Sequence, residues 1–165
     1  MAEVRNVHLV KNNDIDDDPV ILWIDPGLTN GWAVWEGETF SFCSGQCDFF
    51  QLGEMVNDMG NQIGPDLWVG WEHYIVVRGA KSGTPKYSLE AIGALRWICH
   101  FNECTVLPAM PSASRKLGDA LKLKRVGWYK ANQPHSNDAA SHLLAYLIRE
   151  RRVPDHLLGK ILPDD

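Results

Sequence analysis

Residues 20–35 constrain the fold of this chain more than any other stretch. The apolar run Val-Ile-Leu-Trp-Ile ends in Asp25, a Pro-Gly pair follows at 26–27, and a second apolar run continues to Trp35. The pattern predicts a buried strand, a tight turn and an antiparallel partner strand. A charge at the end of a buried strand needs compensation, and in a catalytic site a metal ion is the usual source. Asp25 is therefore the first candidate metal ligand.

Length and composition predict one domain. A chain of 165 residues with 45% hydrophobic content can bury a core without disulfides. We expect a flexible acidic segment at 1–19 and a single domain at 20–165. No apolar run reaches the ~18 residues of a membrane span, and the polar start lacks the pattern of a signal peptide. These features predict a cytoplasmic protein.

Hydrophobic periodicity predicts a mixed α/β layer structure. The predicted strands are residues 20–25, 31–36, 38–44, 66–72 and 104–107. The predicted helices are residues 49–63, 87–101, 111–123 and 135–150, with a polar, mobile stretch at 124–133. Three consecutive strands followed by alternating helices and strands are typical of one mixed sheet covered by helices.

A second carboxylate, Glu72, also closes an apolar strand. Either acid alone could equally be a solvent-facing cap. Two of them favour a site, because neighbouring strand ends in an α/β sheet form the usual ligand crevice. Carboxylates held close together repel unless a cation lies between them, and such hard oxygen ligands suit Mg²⁺ or Mn²⁺.

The last predicted helix carries three further candidates. His135, Asp138 and His142 have the spacing i, i+3, i+7, so they share one helical face. A lone histidine here would more simply be a surface or capping residue, and Asp138 alone an acid that favours the helix dipole. Three titratable groups on one stripe instead predict that this helix completes an acidic metal site with the two strand-end carboxylates.

Charge is distributed unevenly along the chain. The formal net charge is −5, which by itself disfavours a nucleic-acid partner. Between positions 115 and 130, however, one acid (Asp119) stands among six basic residues: Arg115, Lys116, Lys122, Lys124, Arg125 and Lys130. Such a run can be plain solvated surface, and it also permits contact with phosphates.

Cysteines and tryptophans give weaker signals. Cys43, Cys47, Cys99 and Cys104 lack the two-residue spacing of a zinc knuckle, so we expect reduced core thiols, with zinc as the alternative. Most of the seven tryptophans are expected to pack in the core. Trp128, in the basic segment, is the one candidate for stacking on a base or sugar.

Three motifs in the same order resemble the RuvC family of Holliday junction resolvases, within the ribonuclease H-like (retroviral integrase) superfamily. They are Ile-Asp-Pro-Gly around Asp25, Trp-Glu-His-Tyr around Glu72, and His-x-x-Asp-Ala-Ala at 135–140. The resemblance covers residues 20–149. It implies a central mixed sheet of about five strands with helices on both faces. The sequence between the motifs is typical of a divergent member, and a bacteriophage source, hence the host cytoplasm, is one interpretation.

The resemblance also implies residue roles. Asp25, Glu72 and Asp138 correspond to the family's metal-binding carboxylates, which would hold two Mg²⁺ ions, with Mn²⁺ as an alternative. His135 falls where relatives carry Asp or His, and could ligate a metal or orient the water. His142 has no fixed counterpart, although it is a further candidate ligand.

The implied activity is metal-dependent cleavage of branched DNA, most simply the resolution of Holliday junctions by paired cuts. Symmetric cuts favour a homodimer, with Leu89, Ile92 and Leu95 on a dimer face or, equally, in the core. Relatives carry a junction-probing aromatic at the position of Ile75, and Tyr74 could replace it. Basic residues expected to contact DNA phosphates are those of the 115–130 segment together with Arg78, Lys81 and Lys86.

Other functions remain open at this point. The same fold also supports flap, branch or replication-fork endonucleases and ribonuclease H. A non-catalytic junction-binding protein is a further alternative, which the intact carboxylates disfavour. An actin-like ATPase or sugar kinase begins with a similar Asp-x-Gly loop, but that architecture needs two such domains and 165 residues are too few.

Overall fold

A computed structural model describes residues 18–72, 86–108 and 118–161 of the chain. These residues form one five-stranded sheet in the order β3-β2-β1-β4-β5. The strands are β1 (Val20–Asp25), β2 (Asn30–Glu36), β3 (Ser41–Cys47), β4 (Leu67–Trp71) and β5 (Thr105–Val106). β1, β2 and β3 pair antiparallel, whereas β4 and β5 join β1 in parallel. The predicted mixed sheet is confirmed.

Five helices connect and cover the strands within the described residues. They are α1 (Phe49–Ile63), α2 (Lys86–Phe101), α3 (Ala120–Val126), α4 (Pro134–Arg149) and α5 (Asp155–Ile161). α1 begins at a capping box, in which Asp48 accepts from the backbone of Gln51 and the Gln51 side chain accepts from the backbone of Asp48. A short 3₁₀ turn at Gly64–Asp66 leads from α1 into β4.

Apolar layers lie on both faces of the sheet, as expected for strands with alternating side chains. Ile21 and Trp23 of β1 belong to a core shared with α3, α4 and α5. Leu22 and Ile24 point the other way, into a core shared with α1 and α2. β1 is therefore buried on both faces, and helices cover both sides of the sheet as the fold-class prediction requires.

Several sequence-based boundaries are wrong. The third strand lies at Ser41–Cys47, not at 38–44, because a turn occupies residues 37–40. Of the helix predicted at 111–123, residues 111–117 lie outside the described residues; the helix that is described begins at Ala120, where Asp119 caps it, and extends to Val126. α5 was not predicted. Residues 1–17, which include most of the expected acidic segment, lie outside the described residues.

Part of the predicted mobile stretch at 124–133 packs closely against the sheet. Trp128 is buried, and its ring stacks on Phe42 with the centroids 4.0 Å apart and an interplanar angle of 2°. The hypothesis that Trp128 stacks on a nucleic-acid base is therefore wrong for this conformation, because the indole is part of the core that the sheet shares with α3, α4 and α5. Among the described residues, no helix is long and apolar enough to cross a membrane.

Candidate metal centre

The two strand-end carboxylates lie side by side on one face of the sheet. β1 and β4 pair in parallel with Ile24 opposite Trp71, so the next residues in register are Asp25 and Glu72. Ile24 and Trp71 both pack on the α1–α2 side. Because side chains alternate along a strand, Asp25 and Glu72 point to the opposite side, which α4 covers.

Close contact between α4 and β2 brings the helix onto these carboxylates. Gly31 of β2 lies against the carbonyl group of His135, and a Cβ at Gly31 would overlap that group and lie 2.9 Å from the Ser136 backbone nitrogen. Only glycine allows this approach without displacement. The first turn of α4 is thereby fixed directly over the end of β1.

Side chains of β3 hold the start of α4, a feature that sequence reasoning missed. The Gln46 side-chain oxygen accepts from the backbone N–H groups of His135 (2.9 Å) and Ser136 (3.4 Å). These are two of the donors that a helix N-terminus leaves without intrahelical partners. The Ser136 hydroxyl also bonds the Ser44 hydroxyl at 3.0 Å. Gln46 and Ser44 thus position the histidine that precedes Asp138.

The turn after β1 is rigid for a similar reason. The buried Asn30 side chain accepts from the Gly27 backbone N–H at 3.1 Å, and Ser88 of α2 donates its hydroxyl to the Pro26 carbonyl at 2.6 Å. These bonds satisfy backbone groups that the turn would otherwise leave without protein partners. Asp25 is consequently held between a strand and a clamped turn.

Three of the predicted ligands converge in space. Asp25, His135 and Asp138 each offer one ligand atom, and these atoms lie within 4.8 Å of one another. The His135 Nδ1 is 3.0 Å from Asp25 Oδ2, across 110 residues of sequence. Asp25 is buried, whereas the His135 side chain is 42% exposed. The three-residue group is thus buried on the side of Asp25 and open to solvent on the side of His135.

Glu72 takes a different partner. Its Oε2 lies 3.7 Å from Nε2 of His142, and its side chain is 18% exposed, while that of His142 is fully buried. Within the described residues Glu72 and His142 are not members of the three-residue group. α4 therefore presents one histidine to each strand-end carboxylate, with Asp138 between them in sequence.

This donor set fits a divalent ion. Two carboxylates and an imidazole that converge within 4.8 Å supply hard oxygen and borderline nitrogen ligands. Burial of Asp25 disfavours its charge unless a cation or donor compensates it. The roles of Asp25, Glu72, His135, Asp138 and His142 as metal ligands stay predictions that this geometry supports to different degrees.

The cysteines are unsuited to zinc in this conformation. All four are free thiols, and no group of three candidate ligands in the described residues includes a cysteine. Burial raises the pKa of Cys47 and of Cys99 to about 12. Because these two thiols pack against the apolar core between the sheet and α1–α2, they are better described as packing groups.

The predicted DNA-contacting residues fall into three sets. Lys86, Lys122, Lys124 and Arg125 lie on α2 and α3, and Lys124 also sits 4.8 Å above the ring of the exposed Tyr129. Lys130 instead braces the fold, since its ammonium group donates to the Ser44 carbonyl. The others lie outside the described residues: Tyr74, Arg78, Lys81, Arg115 and Lys116.

The order of strands and the helices on both faces define a ribonuclease H-like α/β fold. RuvC from Thermus thermophilus in complex with a Holliday junction substrate shares this fold, with a TM-score of 0.61 and 18% identity over 81% of this chain and 95% of that chain. Another structure of Thermus thermophilus RuvC gives a TM-score of 0.54 and 16% identity over 80% and 95% of the two chains. No family model and no curated protein sequence matches the chain.

Proposed function

We propose that this protein is a divalent-metal-dependent endonuclease that cleaves branched DNA, with four-way junctions as the favoured substrate. The observation that carries the proposal is the convergence of Asp25, His135 and Asp138 at the end of the central strand. The fold shared with a RuvC structure that contains a Holliday junction substrate supports the choice of DNA.

Mg²⁺ is the proposed cofactor, with Mn²⁺ as a substitute. Asp25 and Asp138, together with His135, would hold one ion, and Glu72 beside Asp25 would contribute to a second. Bound ions of this kind lower the pKa of a water nucleophile and stabilise the leaving 3′-oxygen in phosphodiester hydrolysis.

The protein's own contribution is orientation. The contact between Asp25 and Nδ1 of His135 fixes the imidazole ring, so the other ring nitrogen is free to bond water, metal or phosphate in one direction. The buried side of the group excludes water, whereas its exposed side admits a phosphate. Such pre-organisation contributes to rate because the reacting groups need not be ordered during each turnover.

Basic side chains would bind the DNA backbone. Lys124 and Arg125 are exposed on α3, and the Lys86 side chain at the start of α2 is 83% exposed. Contacts of this type recognise phosphates and not base sequence. Binding should therefore depend on branch structure and weaken steeply as salt is added.

A homodimer would allow two symmetric cuts. The exposed apolar surface of α1 and α2 is the proposed interface. Of the two alternatives left open by the sequence, Ile92 and Leu95 take the core position, whereas Leu89 is exposed. The exposed members of the interface are Phe50, Leu89, Trp97 and Phe101. Trp97 and Phe101 stack with centroids 5.6 Å apart, which forms one aromatic patch. Exposed patches of this kind mark protein interfaces.

The decisive test replaces single carboxylates. Asp25→Asn and Asp138→Asn should each abolish Mg²⁺-dependent cleavage of a synthetic four-way junction, while circular dichroism shows a folded protein. Asp58→Asn, at an exposed position on α1, is the matched control and should cleave like the wild type. Full cleavage by either site variant would contradict the proposal.

The substrate panel separates this function from its alternatives. Preferential cutting of the four-way junction would support a resolvase. Faster cutting of flaps or forks would identify a flap or fork endonuclease, and faster cutting of RNA–DNA hybrids would identify a ribonuclease H. Tight junction binding without cleavage under any divalent metal would instead identify a non-catalytic binding protein.

A further inference from the structure

We infer that His142 is a positioning residue that orients the carboxylate of Glu72 for metal binding. The inference rests on the proposed function, because it assigns a task to Glu72 at the same centre. His142 is the only fully buried imidazole among the described residues, and its Nε2 lies 3.7 Å from Glu72 Oε2. That separation is longer than a hydrogen bond, so the contact is electrostatic.

Packing against the indole of Trp23 holds the His142 imidazole in place. The ring of His142 stacks on Trp23 with centroids 6.2 Å apart and an interplanar angle of 13°. Trp23 in turn lies flat across Gly70 of β4, where a Cβ would come within 2.5 Å of the indole. Tyr146, one helical turn beyond His142, packs on the same indole at 5.7 Å. The ring therefore has little freedom to move away from Glu72.

The geometry of α4 explains why His142 acts on Glu72 and not as a ligand itself. Asp138 and His142 are four residues apart, so they lie about 6 Å apart along the helix axis. Asp138 belongs to the group at the end of β1, while His142 lies deeper, with no exposed surface. A buried imidazole behind a half-buried carboxylate is the arrangement by which proteins orient metal-binding groups from outside the ligand set.

Burying an imidazole here is costly, which favours a specific task. His142 lies among apolar side chains of the core beneath α4, where leucine or phenylalanine would avoid the desolvation of two ring nitrogens. The Glu72 carboxylate lies at the edge of this core, and its charge is stabilised by the neighbouring imidazole nitrogen. The contact gives the carboxylate one preferred orientation before any ion arrives.

Two replacements separate positioning from packing. His142→Phe keeps a flat ring against Trp23 but removes the polar nitrogen, whereas His142→Gln loses the ring and keeps an amide donor near the position of Nε2. We expect His142→Phe to weaken Mn²⁺ binding, followed by electron paramagnetic resonance, by about 10- to 100-fold. The metal concentration for half-maximal cleavage should rise by the same factor, with much less change in kcat at saturating metal.

His142→Gln should restore most of the lost Mn²⁺ affinity relative to His142→Phe. If His142 is itself a ligand or only fills space, the glutamine variant will bind Mn²⁺ no better than the phenylalanine variant, and the inference is wrong. Tyr146→Phe, which leaves a ring on Trp23 one turn further along α4, is the matched packing control and should bind Mn²⁺ like the wild type.

A double-mutant cycle keeps the test decisive if one variant is destabilised. In a Glu72→Gln background, His142→Phe should cause no further loss of Mn²⁺ affinity, because the residue acts through Glu72. Additive losses would overturn the inference. Mn²⁺ binding is measured without DNA, so a protein that binds metal but cuts no branched substrate would refute the proposed function while the role of His142 is still decided.

Discussion

Replacing Gly31 by alanine should separate α4 from the end of β1 and thereby disrupt the proposed metal centre. In the structure a Cβ at this position would overlap the carbonyl group of His135 and lie 2.9 Å from the Ser136 nitrogen, whereas ordinary contact begins at 3.4 Å. Both neighbours are backbone, so no side chain can rotate to make room. The first turn of the helix must therefore withdraw from β2.

The size of the displacement follows from these distances. Ser136 must move by at least 0.5 Å, the difference between 3.4 and 2.9 Å, and the overlapped carbonyl must move further. A misplacement on the order of 1 Å in a catalytic group can lower the rate about 100-fold. Overpacking of this kind costs about 1–3 kcal/mol in the free energy of unfolding.

Both effects are measurable on one protein. Urea unfolding should show the loss of stability, and cleavage at saturating Mg²⁺ should show the loss of kcat under conditions where the variant is still folded. Gly159→Ala is the matched control, since a Cβ there meets nothing within 4 Å and the residue lies on the exposed side of α5. That control should gain about 0.5–1 kcal/mol. Unchanged stability and activity in Gly31→Ala would refute the close approach of α4 to β2.

Two further predictions concern other parts of the molecule. Trp97→Arg should convert the proposed dimer to a monomer in light scattering, whereas Leu121→Arg, at an exposed apolar position on α3, should not; a dimer that survives Trp97→Arg would contradict the α1–α2 interface. Cys99, whose pKa burial raises from 9.0 to about 12, should react with iodoacetamide about 1000-fold more slowly in the folded than in the unfolded protein at the same pH. Since the folded pKa is the higher one, this thiol adds no pH dependence to stability below pH 9.0 and lowers stability as pH rises from there toward 12. Rapid labelling of folded protein would contradict the burial of Cys99.

The sequence predicted the parts of the site that follow from local periodicity. Alternation along β1 and β4 places Asp25 and Glu72 on one face of the sheet. Helical spacing places His135 and Asp138 on one face of the last helix. Both patterns need only a few consecutive residues. The alignment of these faces needs the parallel register of β1 with β4, which only the three-dimensional structure supplies.

The residues that sequence reasoning missed act over long distances. Gln46 caps α4, which begins 88 residues later. Gly31 matters because the backbone of His135 and Ser136 in α4 lies directly against it. The error at Trp128 has a similar origin, because a tryptophan in a basic, polar segment has no local sign that Phe42 covers it. The exposed aromatic of that segment is the next residue, Tyr129.

The 110-residue separation between Asp25 and His135 also has a consequence for how the protein is made. During synthesis β1 and β2 can pair early, yet the metal centre stays incomplete until α4 has left the ribosome and docked on the hairpin. Contacts of such long sequence separation form slowly. An ion that binds only the finished centre stabilises the folded chain by an amount that grows with the logarithm of the free ion concentration above its dissociation constant. Under the proposed function, divalent metal would stabilise the chain only at this last step, and a truncated chain that ends before α4 should lack the proposed nuclease activity.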